Sequence, residues 1–174
     1  MGPRLTIEWR AFPLRPVPDP SVRFKGTYRE EAWKRCGAMS EADGAVFTMW
    51  RRDDYPTWSL PALEAAKCAA LQGGAVFERL HLRIYEAFFS HSKNIAVREE
   101  LVEVVRESGA DMARFLADYE SGKAKGWVLD DYEEAVTRHG VRAIPTVIVD
   151  GTARLVGLVG QAEYRRTVEA AARR

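Results

Sequence analysis

The sequence predicts an α/β fold in which a small strand, hairpin and helix unit carries a large all-helical insertion. Three observations predict it. Leu5, Ile7 and Trp9 alternate with polar residues at the period of a strand. From Tyr28 the apolar spacing is helical as far as His139, broken only by helix punctuation. The period then changes at Thr146, where a β-branched run leads into Asp150-Gly151, a preferred dipeptide of tight hairpins. A chain of 174 residues buries roughly 70% of its unfolded surface, so it needs neither metal nor disulfide to close a core. The predicted organisation is one domain over residues 1–174, with 1–27 and 140–174 as the α/β part and 28–139 as the helical insertion.

Leu5 to Trp9 is predicted as a half-buried strand, rich in β-favouring residues. Pro13, Pro16, Pro18 and Pro20 each lack a ladder donor, so residues 11–26 should form an extended connector. A first helix is expected from Tyr28 to about Gly37. Ser59 is expected to cap a second, with Pro61 in its first turn, where a missing N–H does no harm. Gly73 and Gly74 mark a break. The next helix, Ala75 to Ser90, sets Val76, Phe77, Leu80, Ile84, Ala87 and Phe88 on one stripe. Val97, Leu101, Val104 and Val105 continue to Gly109, and Asp111 should cap a helix carrying Met112, Phe115, Leu116 and Tyr119. Lys123 to His139 presents Trp127, Tyr132, Ala135 and Val136 and stops at Gly140, suited to a left-handed exit. A hairpin of Thr146–Val149 and Ala153–Gly157 follows, then a helix from Gln161 to Ala172.

The 26 basic and 25 acidic residues leave a formal charge of +1, so no overall charge draws the chain to nucleic acid or an anionic membrane. Residues 1–10 do not read as a secretory signal and no apolar run is long enough to span a bilayer, so the expected location is cytoplasmic and reducing. Cys36 and Cys68 are the two cysteines, thirty-two positions apart. They form no Cys-x-x-Cys pair and no zinc set. No metal site is expected, since His81, His91 and His139 lack ligand spacing with acidic or thiol partners.

The segment His139-Gly140-Val141-Arg142-Ala143-Ile144-Pro145-Thr146-Val147-Ile148-Val149-Asp150-Gly151 carries most information. A proline between a glycine-stopped helix and a β-branched strand is a plausible place for a cis bond, although the residues alone favour an edge strand entered in trans. In the cis form, the N–H and C=O just before the ring face outward, open to pairing with an extended peptide.

The Gly-Val-x-x-Ile-Pro-Thr pattern of Gly140 to Thr146, followed by a hairpin and helix, resembles the second half of thioredoxin-like proteins. Ile7 to Pro16, Ser59-Leu60-Pro61-Ala62-Leu63 and Leu158 to Tyr164 extend the likeness. From Leu5 to Ala172 the chain resembles the DsbA-like family. Its FrnE-like branch is the most similar one, related to 2-hydroxychromene-2-carboxylate isomerases and kappa-class glutathione transferases. The resemblance implies a DsbA-like thioredoxin fold, a cis-proline at Pro145, and thiol-disulfide exchange on a peptide or thiol substrate held by Ala143, Ile144, Pro145 and Thr146. It also implies glutathione as an alternative ligand, for an isomerase or transferase, and a peptide-binding module as a non-catalytic alternative.

The sequence departs from the family at the redox helix. Its first segment resembles the family's second strand, so a preceding strand and Cys-x-x-Cys helix are missing from these residues, and no catalytic residue is assigned. The expectation is a start placed too late, with true loss of the unit as the alternative. In the shortened form the strands at Ile7 and Val147 are expected to pair directly, or a second copy to fill the gap in a homodimer.

Cys36 is expected to be a helix-end cysteine of no special role; its neighbours Lys34 and Arg35, which would favour a reactive thiol, keep that as the alternative. Cys68 is expected to pack in a helix; a Cys36–Cys68 disulfide is a further arrangement that the expected compartment disfavours. Trp50, Trp58, Phe77, Phe88, Phe89 and Trp127 are expected mainly in the core, and the pairs Asp53-Asp54 and Glu133-Glu134 on solvated faces.

Overall fold

The computed structural model describes residues 5–173. They form two compact units: the described part of Met1–Phe12 with Asp131–Arg174, and Pro13–Asp130. Seven α-helices and two strands occur among the described residues.

The Pro13–Asp130 unit is helical: α1 (Tyr28–Ser40), α2 (Leu60–Ala70), α3 (Gly74–Tyr85), α4 (Arg98–Glu107), α5 (Met112–Glu120) and the start of α6 (Lys123–Thr137). The proline-rich connector is not the extended segment expected: it bends and turns, with Val22 N–H donating to Asp19 O at 3.1 Å, and it is held by partners far along the chain. Ser59 N–H donates to Arg15 O at 2.9 Å, and Asp19 N–H to Thr57 O at 3.1 Å. Ser59 is the residue before α2, with Pro61 in the first turn, but its hydroxyl does not cap the helix. It accepts from Arg15 N–H at 3.0 Å and lies 3.2 Å from Arg15 O, so a long-range partner displaced the local cap. Asp111 caps α5 as expected, accepting from Arg114 N–H at 3.1 Å.

Two apolar clusters form here. In one, the alanine-rich face of α2 (Ala62, Ala65, Ala69) lets α3, α4 and α5 approach closely, so that Leu80, Leu101, Val104, Val105 and Phe115 are all buried. The other is aromatic: Val22, Phe24, Trp33, Trp50 and Tyr55, packed by Phe47, Met49, Phe88 and Phe89. Helix α3 leads into a π-helical turn, Glu86–Ser90. Its adjacent Phe88 and Phe89 both meet the Trp33 ring, at 5.1 and 4.9 Å. Trp33 Nε1 satisfies itself on Thr48 O at 2.9 Å.

In the other unit, residues Arg10 to Phe12 are pinned to the later part of α6. Ala11 N–H donates to the Asp131 carboxylate at 2.7 Å, and the Arg10 guanidinium reaches Asp131 and Glu134 at 3.1 and 3.2 Å. The Phe12 ring meets Tyr132 edge-on at 4.9 Å. Strands β1 (Thr146–Val149) and β2 (Ala153–Val156) pair antiparallel from Thr146↔Val156 to Val149↔Ala153. Asp150 and Gly151 turn the chain at φ +50° and +67°, the conformation this dipeptide tolerates best. Helix α7 (Gln161–Ala171) packs on β1.

Leu5 to Trp9 corrects the sequence reading. No strand forms there, and Leu5, Ile7 and Trp9 are exposed. Strand propensity needs a neighbouring ladder, and the only ladder among the described residues is β1 with β2. The expected direct pairing of Ile7 with Val147 is therefore not made. Trp127, placed on the apolar stripe of α6, is 40% exposed.

Candidate functional site

The loop from Gly140 to Thr146 is fixed at both ends. Gly140 leaves α6 at φ +58°, and the buried Val141 turns back so that its N–H donates to Ala135 O at 2.8 Å. Arg154 on β2 reaches the His139 carbonyl, tying the helix end to the hairpin. His139 itself stands 3.7 Å from Glu134.

The Ile144–Pro145 peptide bond is cis. The carbonyls on either side of Ile144 are occupied internally: Thr146 Oγ1 donates to Ala143 O at 2.6 Å, and Gly157 N–H donates to Pro145 O at 2.8 Å. Ile144 lies between them with 41% of its surface exposed. Its N–H and C=O have no hydrogen-bond partner among the described residues. Of the four residues that the sequence groups here, Ile144 therefore offers open main-chain groups. Thr146 spends its hydroxyl on the loop, and Ala143 has no free carbonyl.

The same bonding pattern orients β1. Antiparallel ladders alternate, so the Pro145–Gly157 bond places the ladder bonds on Val147 and Val149. Thr146 and Ile148 consequently direct their N–H and C=O to the opposite edge, where no described segment pairs with them.

Both cysteines are free and lie in the helical unit. Cys36 is exposed on α1. Cys68 is fully buried on α2, and burial, reinforced by Asp118 and Glu64, pushes its thiol up to about 12. It is a packing residue with no thiolate at neutral pH. Among the described residues, no three His, Cys, Asp or Glu side chains are placed to hold a metal ion, and no helix is long and apolar enough to cross a membrane. A shallow hollow of about 280 Å³ is lined by Arg23, Lys25 and Arg52 among others. These cations are already engaged: Lys25 with Asp53 at 2.8 Å, Arg52 with Asp54 and Glu100 at 2.6 Å, and Arg23 on Val22 O at 2.9 Å. Asp53, Asp54 and Glu133 are exposed, as their spacing suggests, and Glu134 is half-buried; Asp53, Asp54 and Glu134 also sit in ion pairs.

Asp131 escapes sequence reasoning. In the run Asp130-Asp131 it reads as helix surface, yet its side chain is buried and holds the Arg10–Ala11 segment. The signal that marks it is its distant backbone donor, invisible in local spacing.

The profile of the DSBA-like thioredoxin domain family matches residues 3–169. The uncharacterized protein YwbO of Bacillus subtilis is 23% identical over 169 residues, 96% of this chain and 82% of that protein. The crystal structure of a "putative protein disulfide isomerase" from Nitrosomonas europaea superposes with a TM-score of 0.74 at 17% identity, covering 90% of this chain and 79% of that one. With its hairpin, its cis Ile144–Pro145 bond and its large helical block, the chain belongs to the DSBA-like thioredoxin domain family.

Proposed function

We propose that this chain holds an extended peptide or thiol substrate at the Ala143–Thr146 loop, in the manner of a thiol-disulfide oxidoreductase of the DsbA and FrnE type. The observation that carries the reading is Ile144, whose N–H and C=O stand open between two carbonyls already satisfied from within. A ligand strand gains one N–H···O bond in each direction there, the local form of strand addition.

Exchange with resolution takes two thiols: a thiolate attacks the substrate disulfide, its sulfur joins one substrate sulfur and the other leaves as thiolate, and a second cysteine then displaces the first. Within these residues Cys68 is buried and held protonated, while Cys36 has no cysteine at resolving spacing. Neither of these two thiols completes that exchange; what the loop supplies is the hold on the substrate. Glutathione, itself a peptide thiol, falls within the same ligand class.

The test is titration of the ¹⁵N-labelled chain with an S-methylated cysteine peptide and, separately, with S-methylglutathione. Saturable shifts at the Ile144 amide and its neighbours support the reading; shifts confined to the helical unit, or none, overturn it. Insulin reduction should not exceed the free-thiol background. Turnover abolished by Cys36→Ser would show instead that Cys36 is catalytic.

A further inference from the structure

We propose that Arg142 selects the guest of the Ala143–Thr146 loop: the site takes an extended acidic peptide, with a carboxylate within two residues of the one that bonds Ile144. The assignment rests on Ile144 as the main-chain foothold and adds what the guest's side chains must carry. Arg142 is exposed and stands two residues before Ile144, a stretch that spans at most about 7 Å. It makes no ion pair or hydrogen bond among the described residues. No structural duty accounts for it. The carbonyl end of α6, where a cation is useful, is already served by Val141 N–H on Ala135 O at 2.8 Å and by Arg154 on the His139 carbonyl. Glu134 on the same helix is taken by Arg10 and Arg138, at 3.2 and 3.1 Å.

A guest bonded through both main-chain groups of Ile144 runs alongside the loop. Its neighbouring residues on one side are carried toward Arg142, within the roughly 7–8 Å that a long side chain bridges across a strand pair. The guanidinium fork pairs a carboxylate through two parallel N–H···O bonds, which sets Glu or Asp above their neutral amides at that place. The other side of the foothold is different. Gly157 N–H holds the Pro145 carbonyl, and its chain neighbours Val156 and Leu158 are 49% and 79% exposed. A carboxylate laid on that apolar surface loses hydration and gains no partner from it. The foothold thus has a cationic end and an apolar end, so a guest is read by the side on which its acidic residue lies.

The experiment titrates the full ¹⁵N-labelled chain with three end-capped S-methylcysteine peptides. One carries Gln two residues before and two residues after the cysteine; the others replace one Gln or the other by Glu. At least one Glu peptide should bind about fivefold more tightly than the neutral one, and the gain should shrink in about 1 M salt, where screening reaches about 3 Å. Arg142→Gln should abolish the gain with melting and neutral-peptide affinity unchanged, and Arg142→Glu should move the preference to a Lys peptide. Arg165→Gln, which removes the same charge from an exposed position on α7, should leave the gain intact. Equal affinity for Glu and Gln peptides, a gain that survives Arg142→Gln, or an equal loss in Arg165→Gln overturns the proposal. Shifts at Ile144 with the neutral peptide report the foothold by itself: if they appear and no Glu peptide gains, Arg142 fails and the foothold stands, and if no peptide shifts Ile144, both fail.

Discussion

In the helical unit, Leu80, Leu101, Val104, Val105 and Phe115 from three successive helices close over the small residues of α2, and a second, aromatic cluster closes over Trp33. In the hairpin unit, all of β1 remains half-buried and α7 buries no residue. What fixes that unit is a set of polar anchors: Asp131 under Ala11, Thr146 on Ala143, Arg154 on His139, Gly157 on Pro145. One region gets its order from apolar burial, the other from hydrogen bonds at a few positions. The two should therefore fail in different ways.

The largest expected effect is in the helical core. Phe115→Ala should cost about 3–5 kcal/mol, because a fully buried ring leaves a cavity its neighbours cannot fill. Denaturant unfolding followed by helical circular dichroism measures it, and a loss under about 1 kcal/mol would mean that this core is loosely packed. Asp131→Ala should follow at about 2–3 kcal/mol, since it strands the buried Ala11 N–H and removes one of the carboxylates that Arg10 pairs with. Hydrogen exchange should accelerate at Ala11 while the amides of α2 to α4 keep their protection. Uniform acceleration would erase the contrast between the units.

Gly151→Ala should cost about 1 kcal/mol by placing a side chain at φ +67°, read as faster exchange along β1 and β2. Thr146→Val, which keeps shape and removes the hydroxyl, should cost at most about 1 kcal/mol yet free the Ala143 carbonyl. A changed peptide affinity with unchanged melting would mark that bond as part of the binding surface.

The smallest effect is pH-dependent. Cys68 stays protonated in the folded chain up to about 12, whereas an unfolded thiol ionises near 9.0. Below that range the two states bind the same proton and Cys68 contributes no pH dependence. As pH rises from about 9 toward 12 the unfolded state loses the proton first, so stability falls. Thiol labelling at about pH 8 should modify Cys36 at once and Cys68 only at the rate of unfolding.

Much of this contrast was legible in the sequence. The helices, their breaks at Gly73 and Gly109, the Asp111 cap, the Gly140 exit and the hairpin all follow from signals within a few residues, and the structure places them there. What was not legible depends on partners far along the chain. Leu5 to Trp9 carries a strand's alternation without a neighbour to bond. Ser59 looks like a cap until Arg15 takes its hydroxyl, and Asp131 looks like surface until Ala11 reaches it. The Ala143–Thr146 loop was legible through its resemblance. Which of its groups stay open was not, because that turns on the Thr146 rotamer and on Gly157.

The short bond from Thr146 to the Ala143 carbonyl has one more consequence. A bare strand edge is a ladder with evenly spaced rungs, on which a guest can slip by two residues and find the same bonds again. Here the carbonyls of Ala143 and Pro145, immediately on either side of Ile144, are filled from inside the protein, so within this stretch a guest peptide can pair at Ile144 and not at its direct neighbours. Inside the Ala143–Pro145 stretch the loop thus offers a guest's main chain one foothold before any side chain is compared.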